Sequence, residues 1–218
     1  MQSLGSFGQH EALGDVVRPI VVGVDFGTVD SGIAIGIRAN GHHIQCPPLS
    51  ALDDLNSKTP TELVHHFGRW QIGRAARDLF IESAMSESNS DDVLRLFRQF
   101  KPKVGTIDGD FNMAYVTSTN GAQRGLMELV VAVLMRFKEH ALGYASQYFG
   151  RTVRSTEVQW VLAVSSTWND VAKAFMRRAA FRAGLMDDEL SESLQIVLET
   201  DAVLASVLSQ DFFRRPNG

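Results

Sequence analysis

The chain has one cysteine, Cys46, among its 218 residues. No disulfide can therefore form within it, and a reducing, cytoplasmic compartment is the expectation. Long apolar runs are also missing. The longest strongly apolar stretch, Leu129 to Met135, is bracketed by Glu128 and Arg136. It falls far short of the ~20 residues that cross a bilayer, so no membrane partner is expected. Met1 to Val17 has neither a basic start nor an apolar centre. Residues 1–18 read as a loose tail rather than a signal peptide. An excess of positive charge is absent as well: 21 Lys and Arg face 25 Asp and Glu, for a net charge of −4. Nucleic acid is not an expected partner for such a chain. What remains is ordinary for a globular protein, with 44% hydrophobic and 21% charged residues, enough for one large domain or two small ones.

Two apolar runs, Val21 to Val24 and Ile33 to Ile37, flank a short polar turn that contains Asp25-Phe26-Gly27-Thr28. Such runs around a turn predict a β-hairpin. In the second run Gly32, Ala34 and Gly36 alternate with Ile33, Ile35 and Ile37, a period of two with one small and one bulky face. So few polar residues interrupt the hairpin that it is expected inside a sheet covered on both sides. Gly27 lets backbone approach a ligand closely, and successive N–H groups in such a turn can cradle an anion. Thr28 adds a hydroxyl. Asp25, at the strand end, can hold a Mg²⁺ ion that keeps several of its waters. On these residues alone, a plain turn explains the motif as well as a phosphate grip does.

Further along, a short strand is predicted over His43 to Gln45, and residues 49–68 read as loop with short structure. Trp70 to Ile81 carries a helical apolar face, and Asp91 is placed to cap a helix running through Phe97. Val104 to Val116 reads as a second hairpin turning at Asp108-Gly109-Asp110. The longest helix is expected over Gly121 to Phe149, ended by Gly150. Val158 to Val164 reads as a strand, followed by a helix capped by Asn169 or Asp170 and ending at Gly184. Leu194 to Leu198 reads as a further strand, with Glu199 at its end and a helix over Asp201 to Leu208. His42-His43 and His65-His66 are suggestive of metal, but neighbours on a strand point to opposite faces. No Cys or acidic cluster completes a zinc set, so they read as surface histidines.

In order and spacing these segments resemble the nucleotide-binding domain of the seventy-kilodalton heat-shock chaperones, within the actin, hexokinase and heat-shock ATPase superfamily. Val22-Gly23-Val24-Asp25-Phe26-Gly27-Thr28 resembles the family's first phosphate loop. Ile72-Gly73-Arg74-Ala75-Ala76-Arg77 is similar to its Val-Gly-x-Ala-Ala-Lys segment. Leu162 to Asp170 resembles the Val-Pro-Ala strand end, and Ala179 to Leu185 the end of the helix that follows. Leu198-Glu199-Thr200-Asp201-Ala202 resembles the Asn-Glu-Pro-Thr-Ala connection. Trp168, Phe175-Met176-Arg177 and Glu139-His140-Ala141-Leu142 are most similar to the divergent type-twelve branch. The resemblance covers about residues 19–208.

The resemblance implies an α/β fold: a ribonuclease-H-like, actin-like ATPase core over 19–48 and 157–218, with an inserted α/β subdomain over 49–156. It implies that Gly27, Thr28 and Val29 meet the phosphates of ATP or ADP, and that Asp25 holds Mg²⁺ through water. Glu199 would lie near the metal and help order the attacking water. Lys101, in Phe100-Lys101-Pro102-Lys103, is the candidate for the family's phosphate-contacting lysine, with Lys103 close by as the other choice.

The chain also departs from the family pattern. Val29 stands where many members have a second hydroxyl, and its side chain cannot hydrogen-bond. Ser165 and Thr200 replace prolines associated with interdomain coupling. No Gly-Gly dipeptide occurs anywhere, so the family's second phosphate loop, Asp-x-Gly-Gly-Gly-Thr, is not present. Its adenosine motif and second lobe would follow position 218. The expectation is therefore a first lobe alone, holding half of the nucleotide clamp and hydrolysing ATP poorly or not at all. A non-catalytic binding or regulatory relative and a metabolite kinase of the same superfamily remain alternatives. A second lobe or a protein client would be the partner.

Overall fold

The computed structural model describes residues 18–37, 44–47, 57–85 and 94–202. The tail expected over 1–18 lies almost wholly outside the described residues, as do His42, His43, Asp91 and residues 203–208.

The predicted hairpin is present as β1 (Ile20–Asp25) and β2 (Asp30–Ile37), paired antiparallel from Ile20↔Ile37 to Asp25↔Gly32. Ile20, Val22 and Val24 of β1 and Ile33, Ile35 and Ile37 of β2 are buried on one face. The small face, with Gly23, Ala34 and Gly36, is only half-buried by the described residues. Among the described residues the sheet is thus sealed on one side, and what lies over the small face beyond Ala202 falls outside them. The third strand, β3 (Ile44–Gln45), pairs with the end of β2. A fourth, β4 (Lys58–Pro60), pairs with its start at Asp30↔Pro60 and Gly32↔Lys58. Residues 58–60 fall in the stretch assigned from sequence to the inserted subdomain, yet they extend the central sheet.

The stretch read as loop with short structure holds β5 (Glu62–His66), and the helix expected from Trp70 starts later. β6 (Arg69–Ile72) first folds back on β5 through Phe67 and Gly68, both at positive φ (47° and 73°). Two central residues at positive φ match the twist of a tight hairpin. Gly73, also at positive φ (74°), then redirects the chain into α1 (Arg74–Met85). A Cβ on Gly73 would lie 1.9 Å from Thr59 Oγ1, so only glycine fits. The helix expected through Phe97 is instead a strand, β7 (Leu96–Arg98), which pairs with β5 and completes a separate three-stranded sheet. Leu63 and Phe97, opposite each other, are both buried.

The hairpin predicted over Val104 to Val116 is not formed. Pro102 sits in the first turn of a short helix, α2 (Lys101–Val104), where its missing N–H costs nothing. Asp108-Gly109-Asp110 is a turn, but it leads into a 3₁₀ turn over Phe111–Met113 that Asp110 caps through the Asn112 N–H at 2.9 Å. The hairpin lies further on. β8 (Tyr115–Thr117) and β9 (Gln123–Gly125) are joined around Gly121, at φ 87°. The long helix α3 (Leu126–Phe149) therefore starts five residues later than expected and ends at Gly150, in the left-handed region.

Beyond it, β10 (Val158–Val164), α4 (Asp170–Arg182) and β11 (Leu194–Leu198) match the expected elements closely. Asn169 is the cap, accepting from the Ala172 N–H at 2.9 Å. Residues 199–202 begin a further helix. The central sheet runs in the order β11-β10-β1-β2-β3, with β4 also on β2; β1, β10 and β11 are parallel, and β2 is antiparallel to β1 and β3. α3 and α4 cover the bulky face, and their Leu129, Val133, Phe137, Phe175 and Met176 share one core with Val22, Trp160 and Leu162.

Candidate functional site

Three parallel strands end at one edge of the central sheet. Asp25 is the last residue of β1, Ser165 follows β10, and Glu199 follows β11. Open α/β sheets bind ligands in the crevice outside these carboxyl ends, because strand ends and loops converge there. A cleft of about 380 Å³ opens at this edge, lined among others by Thr28, Lys101, Gly105, Ser165, Trp168 and Glu199.

The turn after β1 is tight. A Cβ on Gly27 would lie 1.9 Å from the Asp30 carbonyl oxygen, so no other residue fits without opening the loop. The Gly27 N–H donates to Ser31 Oγ at 3.0 Å, and Ser31 Oγ lies 2.6 Å from Thr61 Oγ1. Thr61 N–H in turn donates to the Val29 carbonyl at 2.7 Å. Ser31 and Thr61 are buried, so the turn is held by a satisfied polar network. Val29 is 65% exposed.

Lys101 reaches the site from α2, and the ammonium group donates to Glu199 Oε1. Lys101 is buried, with Nζ 5.9 Å from the centre of the Phe26 ring and 5.7 Å from that of Trp168. Gly105 lies flat against the same indole, where a Cβ would come within 2.8 Å of Trp168 Nε1. An ammonium group between two aromatic faces and a carboxylate is held in place from three sides. Lys103, the other choice from sequence, points elsewhere: its exposed Nζ donates to the Tyr115 carbonyl at 2.9 Å.

Sequence reading missed Lys58. Its Nζ lies 2.6 Å from Asp25 Oδ2, on the carboxylate expected to face a metal. The hydrogen bond to Asp25 pushes the Lys58 ammonium above its ordinary range. Burial opposes this, and the charges of Asp25, Asp30 and Glu199 add to it. Lys58 therefore feels both carboxylates of the site. Nothing in Ser57-Lys58-Thr59-Pro60 marks this role, because lysine on an edge strand is ordinary.

The donor set is thin for a divalent ion. Among the described residues no three His, Cys, Asp or Glu side chains come together, and Asp25, at the strand end, already carries an ammonium group. His65 and His66 lie on β5, where His65 stacks near Trp70 at 5.0 Å and His66 near Phe67 at 4.1 Å. The residues fit an anion better. Lys58 and Lys101, each on one of the two carboxylates, and the Thr28 hydroxyl are groups able to donate to phosphate oxygens. No helix among the described residues is long and apolar enough to cross a membrane.

No protein-family model matches the chain. Comparison with curated proteins gives three relatives: heat shock 70 kDa protein 12A of Mus musculus and of Homo sapiens, each 35% identical over 84% of this chain, and heat shock 70 kDa protein 12B of Homo sapiens, 32% identical over 84%. The chain spans 27% of the length of each. The mixed α/β architecture is compatible with one lobe of an actin-like ATPase. The chain belongs to the seventy-kilodalton heat-shock protein family, in the branch that holds heat shock 70 kDa proteins 12A and 12B.

Proposed function

We propose that this chain is a nucleotide-holding first lobe, with the phosphates of ADP or ATP seated at the carboxyl edge of the central sheet. One observation carries the reading: Thr28, Lys101, Ser165, Trp168 and Glu199, from four separate segments, line a single cleft where β1, β10 and β11 end. Thr28 and the turn backbone at Val29 would meet phosphate oxygens, with Gly27 allowing their close approach while its N–H stays on Ser31 Oγ. Lys101 would oppose their charge, and its tie to Glu199 would position both. Glu199 would orient a water at the phosphate. Asp25 would be the carboxylate to hold Mg²⁺ through water, and Lys58 occupies its Oδ2 at 2.6 Å.

The strand order β3-β2-β1-β10-β11, with only β2 reversed, supports a ribonuclease-H-like core. The separate sheet β6-β5-β7 supports an inserted subdomain, with its start moved from 49 to about 61 because β4 pairs with β2. A second lobe, in the same polypeptide or on another chain, would close over the cleft and supply the second phosphate loop. A chaperone-like role toward a protein client and a cytoplasmic location complete the reading. Turnover by these 218 residues alone would be slow or nil, since one lobe supplies half of the contacts.

Calorimetric titration of the folded chain with ADP and ATP tests this. Saturable binding is expected, weakened about tenfold or more in Lys101→Met, the loss that one charge-assisted hydrogen bond predicts. No heat and no thermal shift at millimolar nucleotide, from a chain folded by circular dichroism, would contradict it.

A further inference from the structure

We propose that Lys58 stands in for the divalent cation, so that the site takes up nucleoside di- and triphosphates free of metal. The inference rests on the nucleotide reading above and specifies how that site recognises its ligand. Its basis is the contact of Lys58 Nζ with Asp25 Oδ2 at 2.6 Å and the way the fold builds that contact.

The register of β4 on β2 places Lys58 opposite Gly32. A Cβ on Gly32 would lie 2.7 Å from the Ser57 carbonyl oxygen and 3.2 Å from Lys58 Cγ. Only a glycine lets the lysine stem cross the strand there and reach the end of β1. The 2.6 Å contact between Ser31 and Thr61 and the 2.7 Å bond from Thr61 N–H to the Val29 carbonyl fasten the residues after β4 to the glycine turn. Lys58 is thus fixed beside the turn by backbone pairing, while its side chain stays 55% exposed and reachable by a ligand.

The charges favour the same conclusion. Asp25 and Glu199 each have a lysine in direct contact. A dication approaching Asp25 meets a carboxylate whose charge is already opposed. Mg²⁺ held through its waters needs a carboxylate free to accept from them, and the Lys58 ammonium group already occupies Asp25 Oδ2. An incoming polyphosphate meets the opposite situation. An ammonium group has three donors, so Lys58 can keep one on Asp25 and turn the others to a phosphate oxygen. Together with Lys101 on Glu199, Lys58 on Asp25 would supply the positive charge that a metal otherwise brings.

The test is titration of the full chain with ADP in two buffers, one with EDTA and one with MgCl₂. Dissociation constants within about threefold of each other are expected. Lys58→Met should weaken binding in EDTA by about tenfold or more, the loss of one charge-assisted hydrogen bond, and Lys58→Arg should retain most of it. Wild-type binding that requires Mg²⁺ would overturn the assignment of Lys58 and leave the nucleotide reading standing. So would Lys58→Met, folded, binding as wild type in EDTA. A folded wild-type chain that binds ADP in neither buffer would remove both. The wild-type comparison decides the matter even if a lysine variant fails to fold.

Discussion

Along the helix-covered face of the central sheet, Ile20, Val22, Val24, Trp160, Leu162 and Val164 are sealed from solvent. At the carboxyl edge of the same strands, Asp25, Glu199 and Lys58 are partly open, and each is held by a single ionic contact. The first region is specified by alternation. Any apolar residue of about the right volume keeps a side chain in the core, at a cost that depends on how well the site refills. The second depends on individual atoms: a glycine where a Cβ would strike Asp30, a lysine that crosses over another glycine, and an ammonium group between two rings. Packing supplies the stability that lets such an edge keep half-open charges in place.

Four substitutions and one matched control probe that contrast, from the largest expected effect to the smallest. Trp160→Ala empties the centre of the packed face, where Trp160 is fully buried and its Nε1–H donates to Ser155 Oγ at 3.1 Å. A loss of about 3–5 kcal/mol is expected by denaturant titration, with nucleotide affinity unchanged in whatever fraction stays folded. A matching loss of affinity would mean that the two regions are not separable.

Gly27→Ala strikes the edge. The added methyl would lie 1.9 Å from the Asp30 carbonyl oxygen, so the turn must open. Stability should fall by about 1–3 kcal/mol, as overpacking does, and nucleotide binding should disappear from the titration. Retained binding would show that the turn backbone is not part of the site.

Lys101→Met keeps the length of the stem but leaves Glu199 without its partner. Glu199 remains partly exposed, so water takes over much of that role and the cost to stability should be only about 1 kcal/mol. Affinity should fall about tenfold. Lys103→Met is the matched control. Its ammonium group bonds the Tyr115 carbonyl on the surface, and no change in affinity is expected. Equal effects of the two variants would undo the choice between these lysines.

The smallest effect lies at neither region. The Glu157 carboxyl is held below its ordinary range, first by the Arg151 hydrogen bond and then by the Arg154 N–H. Because its folded value lies below its unfolded one, the contribution is complete above about pH 4.5 and fades as pH falls through the folded value. Glu157→Gln should flatten this part of the acid limb of stability, followed by thermal melts between about pH 5 and 3, with nucleotide binding at neutral pH untouched. A variant as acid-sensitive as wild type would assign that limb to other carboxylates.

The contrast also explains what could be read in advance. β1, β2, β10, β11 and α4 follow from period and capping: Ile33, Ile35 and Ile37 alternate with small residues, and Asn169 opens α4. Those signals are local, and they specify the packed face. The misplaced elements are those where tertiary pairing overrides local pattern. Arg69–Ile72 has helix-compatible residues but completes a hairpin through the positive φ of Phe67 and Gly68, and Leu96–Arg98 becomes a strand because β5 offers an edge. At the site, Asp25, Gly27, Thr28, Lys101 and Glu199 are named by the family resemblance, and Lys101 and Glu199 meet in space although 98 residues separate them in sequence. Lys58 is invisible in sequence because its role comes from the register of β4 on β2, which no local signal encodes.

The most direct test of the account is hydrogen–deuterium exchange of the whole chain with and without ADP. The account predicts slowed exchange at residues 26–29, 165–168 and 199–202, the segments that end β1, β10 and β11, with no change in the β8–β9 hairpin. Protection confined to other segments, or none at saturating ADP, would contradict the placement of the nucleotide at the carboxyl edge of the sheet.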